Sequence, residues 1–328
     1  MNRREAIEFT LSSLVATTLP TRANAQDAYP SRPIRLVVPF APGGLVDVVA
    51  RKWAEQMRKH LGAIYIDNQG GGGGILGATQ VAKAAPDGYT LLMGNTSTQI
   101  LNPLTMTKIS YDAQTAFQPA SMLCIATPTI VINPQVPASN LKDFISYAKA
   151  NPGKLSYGSA GAGTITNLTG ELFKHLTNNA DIVHVPYKGV GAGMSDIVSG
   201  HIPMMIAQLN DQVLALHREG RIRILAVTST ERLEGAPDLP TAVEAGVEGM
   251  VAQVFNAILA PASTPADILD RLASATRMAL ADSDFSEHLV KSGLQPMKET
   301  TAREAQAYIR REFDRFSPII KAIGFTSG

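Results

Sequence analysis

The chain has 328 residues, 45% of them hydrophobic and 17% charged, with a formal net charge of +1. That balance excludes the basic excess or stripe of a nucleic-acid partner surface. Its single cysteine, Cys124, excludes an internal disulfide and any cysteine-pair metal site, and its apolar surroundings mark a buried bystander thiol. The six histidines show no HxxxH or HxH spacing and the acids form no recognisable catalytic pair, so neither a metal nor a cofactor is expected.

Residues 1–25 read as a signal peptide. Arg3 and Arg4 form a basic region, Phe9–Leu19 is a modest apolar stretch, and Ala23-Asn24-Ala25 supplies an A-x-A cleavage site. The apolar run is too short for a membrane anchor and carries Thr and Ser throughout. Ala6 and Glu8 stand where a twin-arginine signal prefers Phe and Lys, so that route and the Sec route both stay open. Removing this segment, with Arg3, Arg4, Arg22, Glu5 and Glu8, leaves 303 residues carrying 26 basic and 26 acidic side chains. Such a length predicts about two domains.

In chain order, short apolar runs alternate with amphipathic ones, the pattern of an α/β protein with mainly parallel strands. Ile34–Pro39 is the first strand, and the helix after Phe40–Gly44 has an apolar face of Val46, Val49, Ala50, Trp53, Met57 and Leu61. Ile64–Ile66 is a second strand. Gly70–Gly74 leads into a helix that stops at Pro86-Asp-Gly88, and Tyr89–Gly94 is a third strand ending in Asn95-Thr-Ser-Thr98. A long strand over Ala120–Asn133 precedes a Ser139–Ala150 helix. Leu155–Ser159 with Ile165–Leu176, Ile182–Pro186 with Ala192–Ser199, and Met204–Ala207 with Gln212–Glu219 are strand–helix units. Ile222–Ser229 is a further strand, Thr230–Gly249 is loop-rich, and Phe255–Ala260 is a late apolar strand. Three closing helices are expected, capped by Thr264 (with Pro265 at the first helical position), by Asp282 and by Thr300.

The late strand and closing helices have no sheet of their own, so they are expected to return to the first lobe. That gives a discontinuous lobe 1 (26–126 and 249–328), a lobe 2 (127–248) and two crossover strands, an arrangement suited to hinge closure on a ligand.

Pro39–Asp47 is the most informative segment. Two glycines let the backbone turn, and the following helix leaves its first N–H groups unpaired, an anion site suited to a carboxylate. The alternative is a well-formed loop in which Asp47 only bonds backbone N–H groups of the first turn. Gly72–Gly77 satisfies G-x-G-x-x-G, but a strand occupies the position about twenty residues on where a ribose-binding acid belongs, so a flexible lobe-edge loop is expected instead of a dinucleotide site. Gly158–Thr164 mirrors the first turn in the second lobe, with Ser159, Thr164 and Thr166 adding hydroxyls and helix capping as the alternative role. A nucleophile elbow needs Gly two before the Ser, and Tyr157 stands there. In His184–Gly189, Tyr187 is placed to wall a cleft and Lys188 to bring charge, whereas His184 alternates with Val183 and Val185, expected buried, as a half-exposed strand residue.

Taken together, these motifs resemble the solute-binding receptors of tripartite tricarboxylate transporters, the Bug receptors, over nearly the whole mature chain. The marks are Tyr29–Phe40, Pro42-Gly-Gly44 with Asp47, Ala85–Leu92, Asn102-Pro103, Pro152–Tyr157, Gly170–Phe173, Val183–Gly189, Leu225–Ser229 and Ala260-Pro261. The resemblance implies a type II periplasmic-binding-protein fold, a periplasmic location, no catalysis, and a ligand carboxylate held by backbone groups and bridging waters. The site it implies comprises Phe40, Ala41, Gly43, Gly44, Leu45, Val46 and Asp47 in the first loop and Ser159, Ala160, Gly163 and Thr164 in the second. Thr96, Ser97, Tyr187 and Gln208 are expected to complete it. The implied partners are a small organic carboxylate and integral membrane transporter subunits, with the receptor itself a monomer. Rival functions are a periplasmic sensory accessory protein and a Ser159-dependent hydrolase.

Three positions depart from the family pattern. Val46 replaces a common Ser or Thr, Ala207-Gln208 stands where Asp-Asn or Gly-Ser is common, and Phe255 replaces a frequent Trp. The first two predict a less polar pocket and a ligand with an apolar body rather than citrate.

Overall fold

A computed structural model describes residues 29–326 apart from Ala180, Lys188 and Glu299. The chain divides into Met1–Ser31 and Arg32–Gly328, and every element below belongs to the second unit. The expected signal peptide and Lys188 lie outside the described residues.

The first elements are β1 (Ile34–Val38), α1 (Leu45–Leu61), β2 (Ile64–Asn68), α2 (Ile75–Ala82) and β3 (Thr90–Asn95). A π-type turn (Ser97–Leu101) and α3 (Asn102–Thr105) follow, helical turns that the hydroxyl-rich sequence did not disclose. Local side chains offset its poor helix propensity: Thr98 Oγ1 accepts the Asn95 N–H, and Asn95 Oδ1 accepts the Thr98 N–H, each at 3.1 Å. The long strand expected over Ala120–Asn133 is two strands, β4 (Phe117–Ala126) and β5 (Pro128–Ile132), which join different sheets across Thr127.

The second half runs α4 (Leu141–Ala150), β6 (Ser156–Ser159), α5 (Ile165–Thr177), β7 (Val183–Pro186), α6 (Val190–Val198), β8 (Met204–Gln208), α7 (Asp211–Arg218) and β9 (Arg223–Val227). Then come β10 (Val254–Pro261), α8 (Ala266–Ala281), α9 (Ser283–Lys291), a short unforeseen β11 (Leu294–Pro296) and α10 (Ala302–Ala322). Two helix starts differ from expectation. Thr264 Oγ1 donates to Pro261 O at 2.8 Å instead of capping α8. Thr301, not Thr300, caps α10 in a capping box with Glu304, while Thr300 turns inward and accepts the Met122 N–H at 3.2 Å.

The sheets have the orders β11-β4-β10-β3-β1-β2 and β7-β6-β8-β5-β9. Leaving β11 aside, the two share one pattern: a parallel trio (β2-β1-β3, β7-β6-β8), then a strand from the other half of the chain, then the outgoing strand. Among the described residues, the parallel pairs between these strands all fall within the trios, and the five antiparallel pairs involve β4, β5 or β10. The expectation of mainly parallel strands fails because each crossover strand enters the opposite sheet reversed.

Alternation along the second sheet feeds two cores. Ile130, Ile132, Met204 and Ile206 point to one face, and Val131, Met205 and Ala207 to the other. Burial on this scale stabilises each of these Ile, Val and Met side chains by about 1.5–3 kcal/mol. A bulge in β9 breaks the alternation, since Ile130 pairs with Ala226 and Val131 with Ile224, which sends Leu225 and Ala226 to the same face. Trp53 of α1 is buried and donates to Thr276 of α8 at 3.1 Å, which packs the closing helices against the start of the chain. Near the crossovers, Thr228 Oγ1 reaches both Pro128 O (2.9 Å) and Ala252 O (2.7 Å). Arg315 of α10 donates to Val251 O at 3.0 Å.

Candidate functional site

All fifteen expected site residues lie at or just beyond the C-terminal ends of strands, where parallel α/β sheets hold ligands. The first loop leaves β1 and enters α1 at Gly44, an N-cap with extended backbone (φ −77°, ψ 167°) and no side-chain capping bond. Ala41, Gly43 and Gly44 are exposed, while Phe40, Leu45 and Val46 are half-buried. Among the described residues, the N–H groups of Gly44, Leu45, Val46 and Asp47 have no protein partner. These are the unsatisfied donors at the positive end of a 17-residue helix.

Asp47 itself is 2% exposed and faces the protein. Its Oδ2 accepts the Gly43 N–H and Arg51 Nε–H, both at 2.9 Å, and its Oδ1 accepts from Asn68 Nδ2 at 2.8 Å. Asn68 also reaches Phe40 O at 3.1 Å. Burial alone raises a carboxyl pKa; the bonds from Arg51, Gly43 and Asn68 outweigh it and hold Asp47 below the usual range. Asp47 therefore shapes the loop, and the open donors lie on the backbone. The glycine run packs closely against the same loop. Gly74 has φ +98°, and a Cβ there would sit 2.9 Å from Thr98 and 3.4 Å from Phe40.

The second loop leaves β6 at Ser159 and enters α5 at Thr164, which caps the helix by accepting the Asn167 N–H at 3.3 Å. Gly163 N–H donates to Asn167 Oδ1 at 3.1 Å, the counterpart of Gly43 to Asp47 in loop, spacing and helix position. Ala160 N–H is taken by Thr166 Oγ1 at 2.9 Å, whereas Ile165 and Thr166 keep N–H groups without partners among the described residues. Ser159 is 0% exposed. Its Oγ lies 2.7 Å from His184 Nε2 and 3.1 Å from both the N and the O of Gly161, so its hydroxyl is spent inside the loop.

The remaining residues are less open than expected. Thr96 is fully buried and accepts the Phe255 N–H at 3.1 Å; Ser97 beside it is half-buried. Tyr187 is half-buried, donates to Asp196 at 2.7 Å, and has its pKa pushed to about 12 by burial and that carboxylate. Gln208 ends β8 beside Pro128, half-buried. Phe255 is buried edge-on against Tyr308 (centroids 5.9 Å apart), a core residue. Burial pushes the Cys124 thiol to about 12, which leaves it inert.

Residues to which the sequence reading gave no part in the site hold the loops: Arg51, Asn68, Tyr157, Asn167, Glu171 and His184. The readable signal was the repeated Gly-x-x-x-Asp/Asn spacing, Gly43 to Asp47 and Gly163 to Asn167. His184 was placed between two buried valines, but β7 is a sheet edge and Val183 is 57% exposed, with Val185 half-buried. The histidine is the residue of that strand that turns inward, stacking on Tyr157 at 4.9 Å.

A family model described as "Tripartite tricarboxylate transporter family receptor" matches residues 49–325. The periplasmic binding protein BugD is 32% identical, with a TM-score of 0.79 over 91% of this chain and 99% of that one. R. palustris Rpa4515, solved with adipate, is 32% identical with a TM-score of 0.83 over 91% and 99%. MatC from Rhodopseudomonas palustris, solved with bound malate, is 31% identical with a TM-score of 0.78 over 89% and 100%. These likenesses and the two sheets together give the two-lobed α/β fold of periplasmic binding proteins. The chain belongs to the tripartite tricarboxylate transporter receptor family of periplasmic solute-binding proteins.

Proposed function

We propose that this protein captures a small organic carboxylate between its two lobes and delivers it to the integral membrane subunits of a tripartite tricarboxylate-type transporter. The observation that carries this reading is the uncapped start of α1, where four consecutive N–H groups are left for an anion beside a carboxylate, Asp47, already committed to the protein. Rpa4515 with adipate and MatC with malate support a carboxylate ligand. Ligand favours closure because both donor loops reach it only then.

In this reading residues 26–126 and 249–328 form lobe 1, residues 127–248 form lobe 2, and the mature receptor is a periplasmic monomer cleaved after Ala25. It performs no catalysis. A hydrolase would draw on the 2.7 Å contact between Ser159 and His184, but Ser159 is fully buried and offers a substrate no approach. Val46 at the start of α1 favours an acid with an apolar body, whereas Ala207, expected to line the pocket, is buried in the core.

A thermal-shift screen of small carboxylates, sugars and divalent metals tests the reading. A carboxylate at 100-fold its Kd stabilises the folded state by about 2.7 kcal/mol and raises Tm. A response only to sugars or metals would overturn the proposal.

A further inference from the structure

The second loop contains a chain of hydrogen bonds whose directions can be assigned. A backbone N–H only donates, so the 3.1 Å contact from Gly163 N identifies the facing atom of Asn167 as Oδ1. Nδ2 then lies on the other side and directs its hydrogens to Tyr157 OH at 2.8 Å and His184 Nδ1 at 3.4 Å. Tyr157 passes its own hydrogen to Glu171 at 2.7 Å, and Glu171 is paired with Lys174 at 2.9 Å. Because Nδ2 can only donate, His184 Nδ1 must accept. In the neutral ring the proton therefore sits on Nε2 and points at Ser159 Oγ, 2.7 Å away. Ser159 gives its hydrogen to Gly161 O, and Gly161 N–H returns to Ser159 Oγ.

We propose that Asn167 fixes His184 in the neutral Nε2–H tautomer, and that His184 in this form is a positioning residue that keeps the second donor loop in its binding shape. A proton on Nδ1 would set donor against donor. A flip of the Asn167 amide relieves this, but it takes Oδ1 from Gly163 and turns an NH2 group towards its N–H. Protonation of His184 is thus set against retention of the Gly163 clip.

The surroundings favour the neutral ring. Burial lowers the His184 pKa, the Glu171 charge raises it and the Lys174 charge lowers it, with a net depression. From β6 the ring faces Tyr157 and Ser159, and from α5 it faces Asn167, Glu171 and Lys174. The same tautomer denies Ser159 a general base, since Nε2 already carries its proton.

The structural part of the proposal is tested on ligand-free protein by NMR. Long-range nitrogen–proton spectra of His184 are expected to show Nε2 protonated and Nδ1 bare at pH 7.5. The amide protection factor of Gly163 is expected to fall about tenfold over the first pH unit below the His184 midpoint. In Asn167→Asp the carboxylate must accept from Nδ1, so the tautomer inverts and the midpoint rises. In His184→Gln the pH dependence of Gly163 protection disappears. A wild-type ring protonated on Nδ1, or Gly163 protection indifferent to His184, would overturn the proposal, and neither measurement on wild-type protein depends on a variant folding.

The link to binding rests on the carboxylate reading and has its own probe. Adipate affinity, if present at pH 7.5, is expected to fall with His184 protonation in the wild type and not in His184→Gln. A wild-type adipate affinity that ignores His184 protonation would overturn the binding role. Failure of adipate and malate to bind at any pH would count against the carboxylate reading, while the tautomer and Gly163 protection would still decide the structural claim.

Discussion

The backbone N–H of Gly43 lies 2.9 Å from Oδ2 of Asp47, and this bond ties the tip of the first donor loop to the first turn of the helix behind it. Replacing Asp47 by Ala leaves the Gly43 and Asn68 donors without their acceptor and releases Arg51, which is already 53% exposed and remains hydrated. The expected cost is about 1–3 kcal/mol in urea denaturation, with carboxylate affinity reduced as the loop loosens. Asp47→Asn retains an acceptor for Gly43 and loses less. Asp47 titrates below its ordinary value when folded, so its contribution is present above the unfolded-state pKa of 3.8 and is lost as pH falls through the lower folded value. Wild-type stability should therefore drop more steeply than that of Asp47→Asn on acidification below pH 4.

Ser159→Ala separates the receptor from the hydrolase. The substitution strands His184 Nε2–H and Gly161 N–H in a buried site, an expected loss of about 1–3 kcal/mol in stability with weaker but measurable ligand binding. Wild-type protein should turn over no ester in a chromogenic assay; turnover abolished by Ser159→Ala would contradict the receptor account.

Val46 occupies the second helical position of α1, among the unpaired N–H groups. Val46→Thr keeps the side-chain shape and adds a hydroxyl at the loop. The expected result in calorimetry is a shift in the ratio of malate to adipate affinity toward malate, by up to about tenfold for one added hydrogen bond to a charged group. An unchanged ratio would place Val46 outside the pocket.

Thr228 shares one hydroxyl between Pro128 O and Ala252 O, the carbonyls that flank the crossovers. Thr228→Val removes that clasp at nearly constant volume. Stability should fall by about 1 kcal/mol, and small-angle scattering should show a broader range of lobe separations in the ligand-free protein.

Much of this fold was legible because its periodicities are strong. The α1 face through Trp53, Met57 and Leu61 and the strand–helix units of the second lobe follow from spacing alone. Thr127, which splits the long strand, was not legible as a break, because the apolar run continues through it and only sheet pairing reveals the transfer. β11 is three residues long, too short to carry a period. Within the site, Pro39–Asp47 announced a donor loop through its glycines. What sequence could not give was direction: whether Asp47, Ser159 and His184 face a ligand or the protein depends on Asn68 and Asn167, neither of which stands out in a linear reading.

Leu45 is the first residue of α1, its N–H is one of the four open donors, and Gly44 before it is already extended. Proline is tolerated at that position and favours an extended residue ahead of it, so Leu45→Pro deletes a donor without breaking the helix. Calorimetric titration of wild type and Leu45→Pro with adipate and malate, alongside their Tm values, tests the backbone-donor claim directly. The account predicts a bound carboxylate whose affinity falls about tenfold in Leu45→Pro, the loss of one hydrogen bond to a charged group, while Tm stays close to wild type. Equal affinity in the two proteins, or no binding of any carboxylate to the wild type, would contradict it.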